Sequence, residues 1–193
     1  VLTTDDTTYL GIALDNFAGD LIGLEDLLVF HAYGVDAGIN SAKQNGAAAT
    51  KLNWKTFATS SGLDISSELT ALNATSIGDL SAGVDLSING NVALDVLSGT
   101  LVATTAFDLK LGQVKSAVLP TPAQDADAMT LTLLGANVFL GSGGSLLDNN
   151  GGTATPADYS DDTVKNGTLG FRATAAKLTL VSLKDRGASA VLT

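Results

Sequence analysis

His31 is the only histidine in the chain, and cysteine is absent. A lone imidazole reaches nucleophilic catalysis only when tertiary structure brings it a hydroxyl and a carboxylate. No Gly-x-Ser-x-Gly elbow is present to supply that hydroxyl. His31 stands in alternating register with Val29 and Tyr33, which suits a packed strand histidine. The run Gly141-Ser142-Gly143-Gly144 has the glycines of a phosphate loop, but no Lys-Ser or Lys-Thr follows it. A turn is the expectation there, and no residue is expected to be catalytic.

The acidic residues offer a different chemistry. Asp148, Asn149, Asn150, Asp158, Asp161 and Asp162 crowd one stretch. Calcium takes six to eight oxygens, and closely spaced Asp and Asn supply them. Asp148, Asn150, Asp158, Asp161 and Asp162 are therefore candidate calcium ligands, although the spacing is not that of an EF-hand. Asp125 with Asp127 and Asp5 with Asp6 are weaker candidates. No cofactor is required; calcium is the one candidate. Trp54 is the sole tryptophan, with Tyr9, Tyr33 and Tyr159 the only tyrosines. That is a poor supply of stacking platforms for a sugar cleft, so Trp54 is expected as a core or rim anchor.

These residues must be carried by some scaffold, and composition says which. Hydrophobic residues make up 45% of the 193, yet aromatics only 5% and charged residues only 16%. Acidic residues are almost all Asp, with Glu only at Glu25 and Glu68. Asp favours turns and caps, whereas a helical chain would favour Glu. The net charge of −10 opposes phosphate backbones and anionic membrane surfaces. Nucleic acid is thus not an expected partner. No apolar run approaches the length of a membrane-spanning helix, so membrane insertion is not expected. Val1 to Thr8 lacks a signal-peptide pattern, so an exported form would carry its signal on a longer precursor.

Alternation with period two dominates. Leu101, Ala103, Thr105, Phe107, Leu109 and Leu111 form one face of a long strand; Val102, Thr104, Asp108 and Lys110 form the other. Val92, Leu94 and Val96 precede it in the opposite phase, which puts a tight turn at Ser98-Gly99. Val84, Leu86 and Ile88 run into Asn89-Gly90, where a hairpin or a corner is expected. Strands are also expected around Val29–Ile39 and Met129–Leu133, and two more in Leu169–Thr193, around Asp185-Arg186-Gly187. Helix is expected only as a turn or two at Ser66–Ala74, starting near Asp64, and at Ser41–Thr50. Leu10-Gly11 through Asp26 aligns without a gap on Leu169-Gly170 through Asp185. The chain opens Val1-Leu2-Thr3 and closes Val191-Leu192-Thr193, as a segment cut from a tandem array would.

Several segments resemble recurring repeats of giant bacterial surface and secreted proteins of the RTX-type or adhesin-like kind. They are Phe30-His31-Ala32-Tyr33-Gly34-Val35, Leu52-Asn53-Trp54, Val84 to Leu97, Asn137 to Leu146, and Asn166 to Phe171. The resemblance implies an extended adhesive or matrix-forming scaffold outside the cell. It does not bring roll-type calcium binding, because Gly143-Gly144 lacks the Gly-x-Asp that the nonapeptide requires.

The expected fold is all-β: an elongated β-solenoid or stacked β-rod, with a β-sandwich as the alternative. Residues 1–193 are expected to be one repeat unit of a longer array or polymer. Its ends, Val1, Leu2, Thr3, Val191, Leu192 and Thr193, would meet neighbouring units. The expected partners are copies of the chain itself, with surface glycans as a further candidate. The expected role is structural, in a bacterial extracellular filament or surface adhesin. The alternatives are a carbohydrate-binding module and a β-helical polysaccharide-degrading enzyme.

Overall fold

A computed structural model describes residues 6–24, 26–74, 80–119, 124–149 and 158–186. Six long strands account for most of them: β1 (Thr7–Asp20), β2 (Leu28–Gln44), β4 (Val84–Val96), β5 (Leu101–Lys115), β6 (Asp125–Ser142) and β9 (Leu169–Asp185). Four short elements decorate these: β3 (Ala47–Ala48), β7 (Ser145–Leu147), β8 (Thr163–Lys165) and the helix α1 (Ser66–Asn73). A 3₁₀ turn covers Asp158–Asp161. The long strands follow one another as an antiparallel meander in the order β1-β2-β4-β5-β6-β9. At ~3.4 Å per residue, a strand the length of β6 spans about 60 Å. The protein is therefore all-β, as its alternation indicates. Every ladder among the described residues is antiparallel, so neither the parallel coils of a solenoid nor a second large sheet accompanies the meander.

Strand pairing sorts the side chains into rows. One face carries the row Leu14, Ala37, Ile88, Leu109, Leu131 and Leu180, one residue from each strand. Beside it runs Ile12, Ile39, Leu86, Leu111 and Met129, and near the far end Leu28, Val96, Leu101, Leu140 and Phe171. The opposite face carries Asp36, Asn89, Asp108, Thr132 and Thr179, then His31, Ala93, Thr104 and Asn137.

Burial runs against polarity. The covering layer lies on the polar face, where Ser87, Ala93, Val102 and Phe139 are buried. The apolar face stays open: Leu14 is 46% exposed, Leu140 52% and Phe171 68%. A contiguous open apolar surface of this kind marks an interaction site in a folded protein.

A row of irregularities crosses the sheet at mid-height. Register slips occur between Leu14 and Phe17, Tyr33 and Asp36, Thr104 and Ala106, and Leu133 and Ala136. Asn16, Gly34, Gly135 and Ala175 have φ of 52°, 53°, 66° and 52°. Such bulges add twist and bend a strand.

Three local expectations change. Asn89-Gly90 is neither hairpin nor corner but lies inside β4. A side chain at Gly90 would come within 2.8 Å of Val35 Cγ2, so the glycine makes room for the bulge in β2. Ser41–Thr50 is not helical; β2 continues to Gln44 and turns at Asn45-Gly46 into β3. Leu169–Asp185 is one strand, and residues 187–193 lie outside the described residues. The helix at Ser66 and the turn at Ser98-Gly99 form where expected.

Candidate functional site

Two regions concentrate the chemistry: the loop layer over His31, and the two outer strands. His31 points from β2 into the loop layer. Its Nδ1 lies 2.9 Å from Asp162 Oδ2, and its ring stacks on Tyr159 at 3.7 Å with planes 13° apart. Asp162 has a side chain only 6% exposed. Burial pushes its carboxyl pKa up, the His31 contact pulls it down, and the Asp161 and Asp148 carboxylates push it up again; the net direction is upward. Tyr33, two residues along the same face, is also raised, first by burial and then by the Asp162 and Asp161 charges. Asn149 closes the loop by donating to the Asp161 carbonyl (2.7 Å) and to Thr163 Oγ1 (3.0 Å).

This is an acid–imidazole pair without a hydroxyl beside it in its row. The neighbours of His31 across the ladders are Asp20 on one side and Ala93, then Thr104, on the other. Thr104 is two strands away, about 10 Å at the usual strand spacing. What the pair achieves here is to tie residues 159–162 to the sheet.

The candidate calcium ligands come together only in part. Asp161 and Asp162 sit at the end of the 3₁₀ turn, and Asp148 is near enough to act on Asp162. Asp161 Oδ1 is buried without a hydrogen-bond partner. No group of three His, Cys, Asp or Glu able to hold a metal ion occurs among the described residues. Asn150 and the side chain of Asp158 lie outside them. Asp127 of the weaker pair instead takes Arg186 Nε at 2.8 Å.

Trp54 belongs to the segment that crosses the other end of the polar face. Its Nε1 donates to Asn40 Oδ1 at 3.0 Å. Asn40 Nδ2 in turn donates to the carbonyls of Leu52 (2.8 Å) and Ser81 (2.9 Å), with the residue 1% exposed. A side chain at Gly11 would meet the indole at 2.8 Å, so the ring is seated flush on β1. The buried Lys51 ammonium pairs with Asp85 nearby. A 640 Å³ cavity remains beside the indole, lined by Asp15, Glu68 and Leu72 among others. Asn40 as the hub of this segment was missed from sequence. Its signal was an Asn directly after Ile39, in the last third of a long strand.

The run Gly141–Gly144 also has a packing reason. A side chain at Gly99 would fall 2.0 Å from Gly144 O, and one at Gly167 2.0 Å from Ser142 O. Three backbones meet there, and only glycine admits the approach.

The outer strands are the second region. Among the described residues β1 and β9 each have one neighbour in the sheet, so one side of each is an open edge there. These are also the two segments that align in sequence, and the alignment extends to structure. Asn16 and Ala175 occupy aligned positions, and each is a bulge with φ 52°. The Asn16 N–H donates to Asp36 Oδ1 at 2.8 Å; the Ala175 N–H donates to Asn137 Oδ1 at 3.3 Å. Asp36 and Asn137 both close a Gly-x-Asp/Asn run, Gly34-Val35-Asp36 and Gly135-Ala136-Asn137. The expected interface residues Val1, Leu2, Thr3, Val191, Leu192 and Thr193 lie outside the described residues. No family model, curated protein or solved structure matches this chain.

Proposed function

We propose that the chain is a non-enzymatic structural unit of a bacterial extracellular filament or giant surface adhesin, in which β units stack end to end. The observation that carries this reading is the open apolar face of a sheet whose two outer strands have, among the described residues, one unpaired edge each. Isolated sheets of this kind are aggregation hazards unless neighbours cover them. A repeated unit turns the hazard into an assembly device. The weaving of His31 and Trp54 into covering segments fits a scaffold that holds its own loops. Calcium taken by the stretch that carries Asp148, Asn150, Asp158, Asp161 and Asp162 is part of the same proposal, as an aid to ordering that loop.

The test is electron microscopy and sedimentation of the purified chain at rising concentration. Rods or fibres with a repeating axial unit are the expected result. A monomer at all concentrations, with no binding of a hydrophobic dye to the apolar face, would overturn the reading.

A second reading, glycan binding, draws on the cavity beside Trp54, where an indole stands near Asp15 and Glu68. Glu68→Ala, at an exposed position on the cavity wall that leaves the Trp54–Asn40 contact intact, should then abolish retention on a glycan column while leaving the melting temperature close to the parent's. Under the scaffold reading, retention is absent in both proteins.

A further inference from the structure

We infer that neighbouring copies join through strand addition, with β9 of one copy pairing antiparallel to β1 of the next in a single register. This rests on the scaffold reading and specifies its junction.

Parity permits it. The sheet has six strands in its main path, all antiparallel. A second copy displaced along the sheet therefore presents β1 running opposite to β9, and the alternation of direction is unbroken. An edge-to-edge addition of this kind gains a full set of ladder hydrogen bonds.

The faces and bulges select the register. Asp15 lies on the polar face, two residues from Ala13, which pairs with Gly38; Lys177 lies on that same face, two residues from Thr179, which pairs with Thr132. Setting Asp15 opposite Lys177 places Asp20 opposite Arg172. It also places Leu14 opposite Leu178 and Ile12 opposite Leu180. The apolar rows then run on into the next copy, and the bulges at Asn16 and Ala175 fall side by side, which extends the mid-height row. A slip of one residue would put Leu14 among polar side chains.

Charge agrees with this register. β1 carries Asp15 and Asp20 and no basic residue. β9 carries Arg172, Lys177 and Lys184 against Asp185 alone. Three of the ten basic residues of a strongly acidic chain are thus collected on one edge strand. At the β1 edge the Asp15 carboxyl shares a hydrogen bond with Asp36, and that contact raises its pKa. An incoming ammonium answers the local excess of acid. Opposite charges set across a strand pair favour one register over others.

The absence of cysteine makes the test clean. Leu14→Cys and Leu178→Cys are prepared as separate proteins, each checked by circular dichroism, and mixed under mild oxidant. The expected result is a disulfide-linked dimer in the mixture and none with either protein alone. A dimer from one variant alone means symmetric pairing and overturns the junction. Assembly at the parent's concentration without any cross-link also overturns it, and leaves the scaffold reading standing. No cross-link with a monomer at every concentration removes both. The charge term is read separately. Asp15→Lys with Asp20→Arg should raise the concentration needed for assembly about tenfold, and adding Lys177→Asp with Arg172→Asp should restore it. Failure to restore, with both proteins folded, counts against this register.

Discussion

His31 Nδ1 and Asp162 Oδ2 meet at 2.9 Å although 131 residues separate them in the chain. The contact fastens the 3₁₀ turn and its loop to β2, with Tyr159 stacked on the imidazole as a second hold. His31→Ala removes both and should cost about 2 kcal/mol in urea unfolding. His31→Phe keeps the stack and loses only the Asp162 contact, so its stability should fall between those of the parent and the alanine variant. A fully stable His31→Phe would mean that the stack alone holds the loop. Protease cleavage within residues 158–165 should rise in both.

The same pair predicts a pH dependence. The folded protein holds the Asp162 carboxyl above its ordinary value of 3.8. A carboxyl with a raised pKa binds its proton more tightly in the folded state. Its contribution to stability is therefore complete below 3.8 and is lost as pH climbs through the raised value. Urea midpoints measured from pH 3 to pH 7 should show this loss in the parent and a smaller one in Asp162→Asn. Parallel curves for the two proteins would refute the assignment.

Asn40 makes a prediction about the other end of the sheet. It satisfies two carbonyls and the Trp54 indole from a position that is 1% exposed. Asn40→Leu strands all three polar groups and should destabilise by about 2–4 kcal/mol. Trp54 emission should shift to the red as the crossing segment lifts. Asn40→Asp keeps the acceptor for the indole but faces two carbonyls with a carboxylate, so it should unfold at lower urea than the parent. Unchanged emission in Asn40→Leu would show that the segment is held by apolar packing instead.

Gly99→Ala tests the crossing of three backbones. The added carbon would overlap Gly144 O, and the φ of 88° at this turn disfavours any side chain. A loss of about 2–3 kcal/mol is expected. Gly143→Ala, where φ is 77° but no atom comes closer than 4.0 Å, isolates the conformational part and should cost about 1 kcal/mol. Equal losses would mean that the close approach contributes nothing.

Strand positions were legible in the amino-acid order where alternation is clean, as in β4 and β5; β1 was not read as a strand and β6 was read only around Met129–Leu133, because bulges break the period in both. The phase of Leu101 to Leu111 is the phase of its row in the sheet, and the turn at Ser98-Gly99 follows from the slip between that phase and the phase of Val92 to Val96. Helix α1 was legible through its placement after Asp64, whose Oδ1 accepts the Ser66 N–H at 3.0 Å. Asn89-Gly90 misled, because a glycine that makes room for the bulge of a neighbouring strand reads the same as a hairpin glycine. Only the neighbouring strand, with Val35 pressed against Gly90, distinguishes the two.

What the residue order determined by itself is local: all-β character, the apolar and polar sides of each strand, and the kinship of Leu10–Asp26 with Leu169–Asp185. Those rest on periodicity and composition, which act between near neighbours in the chain. Tertiary structure alone decided which face is covered, that β1 and β9 become the two edges, and that His31 meets Asp162. These depend on loops folding back over long separations, where the free energy comes from contacts that no short stretch of sequence contains.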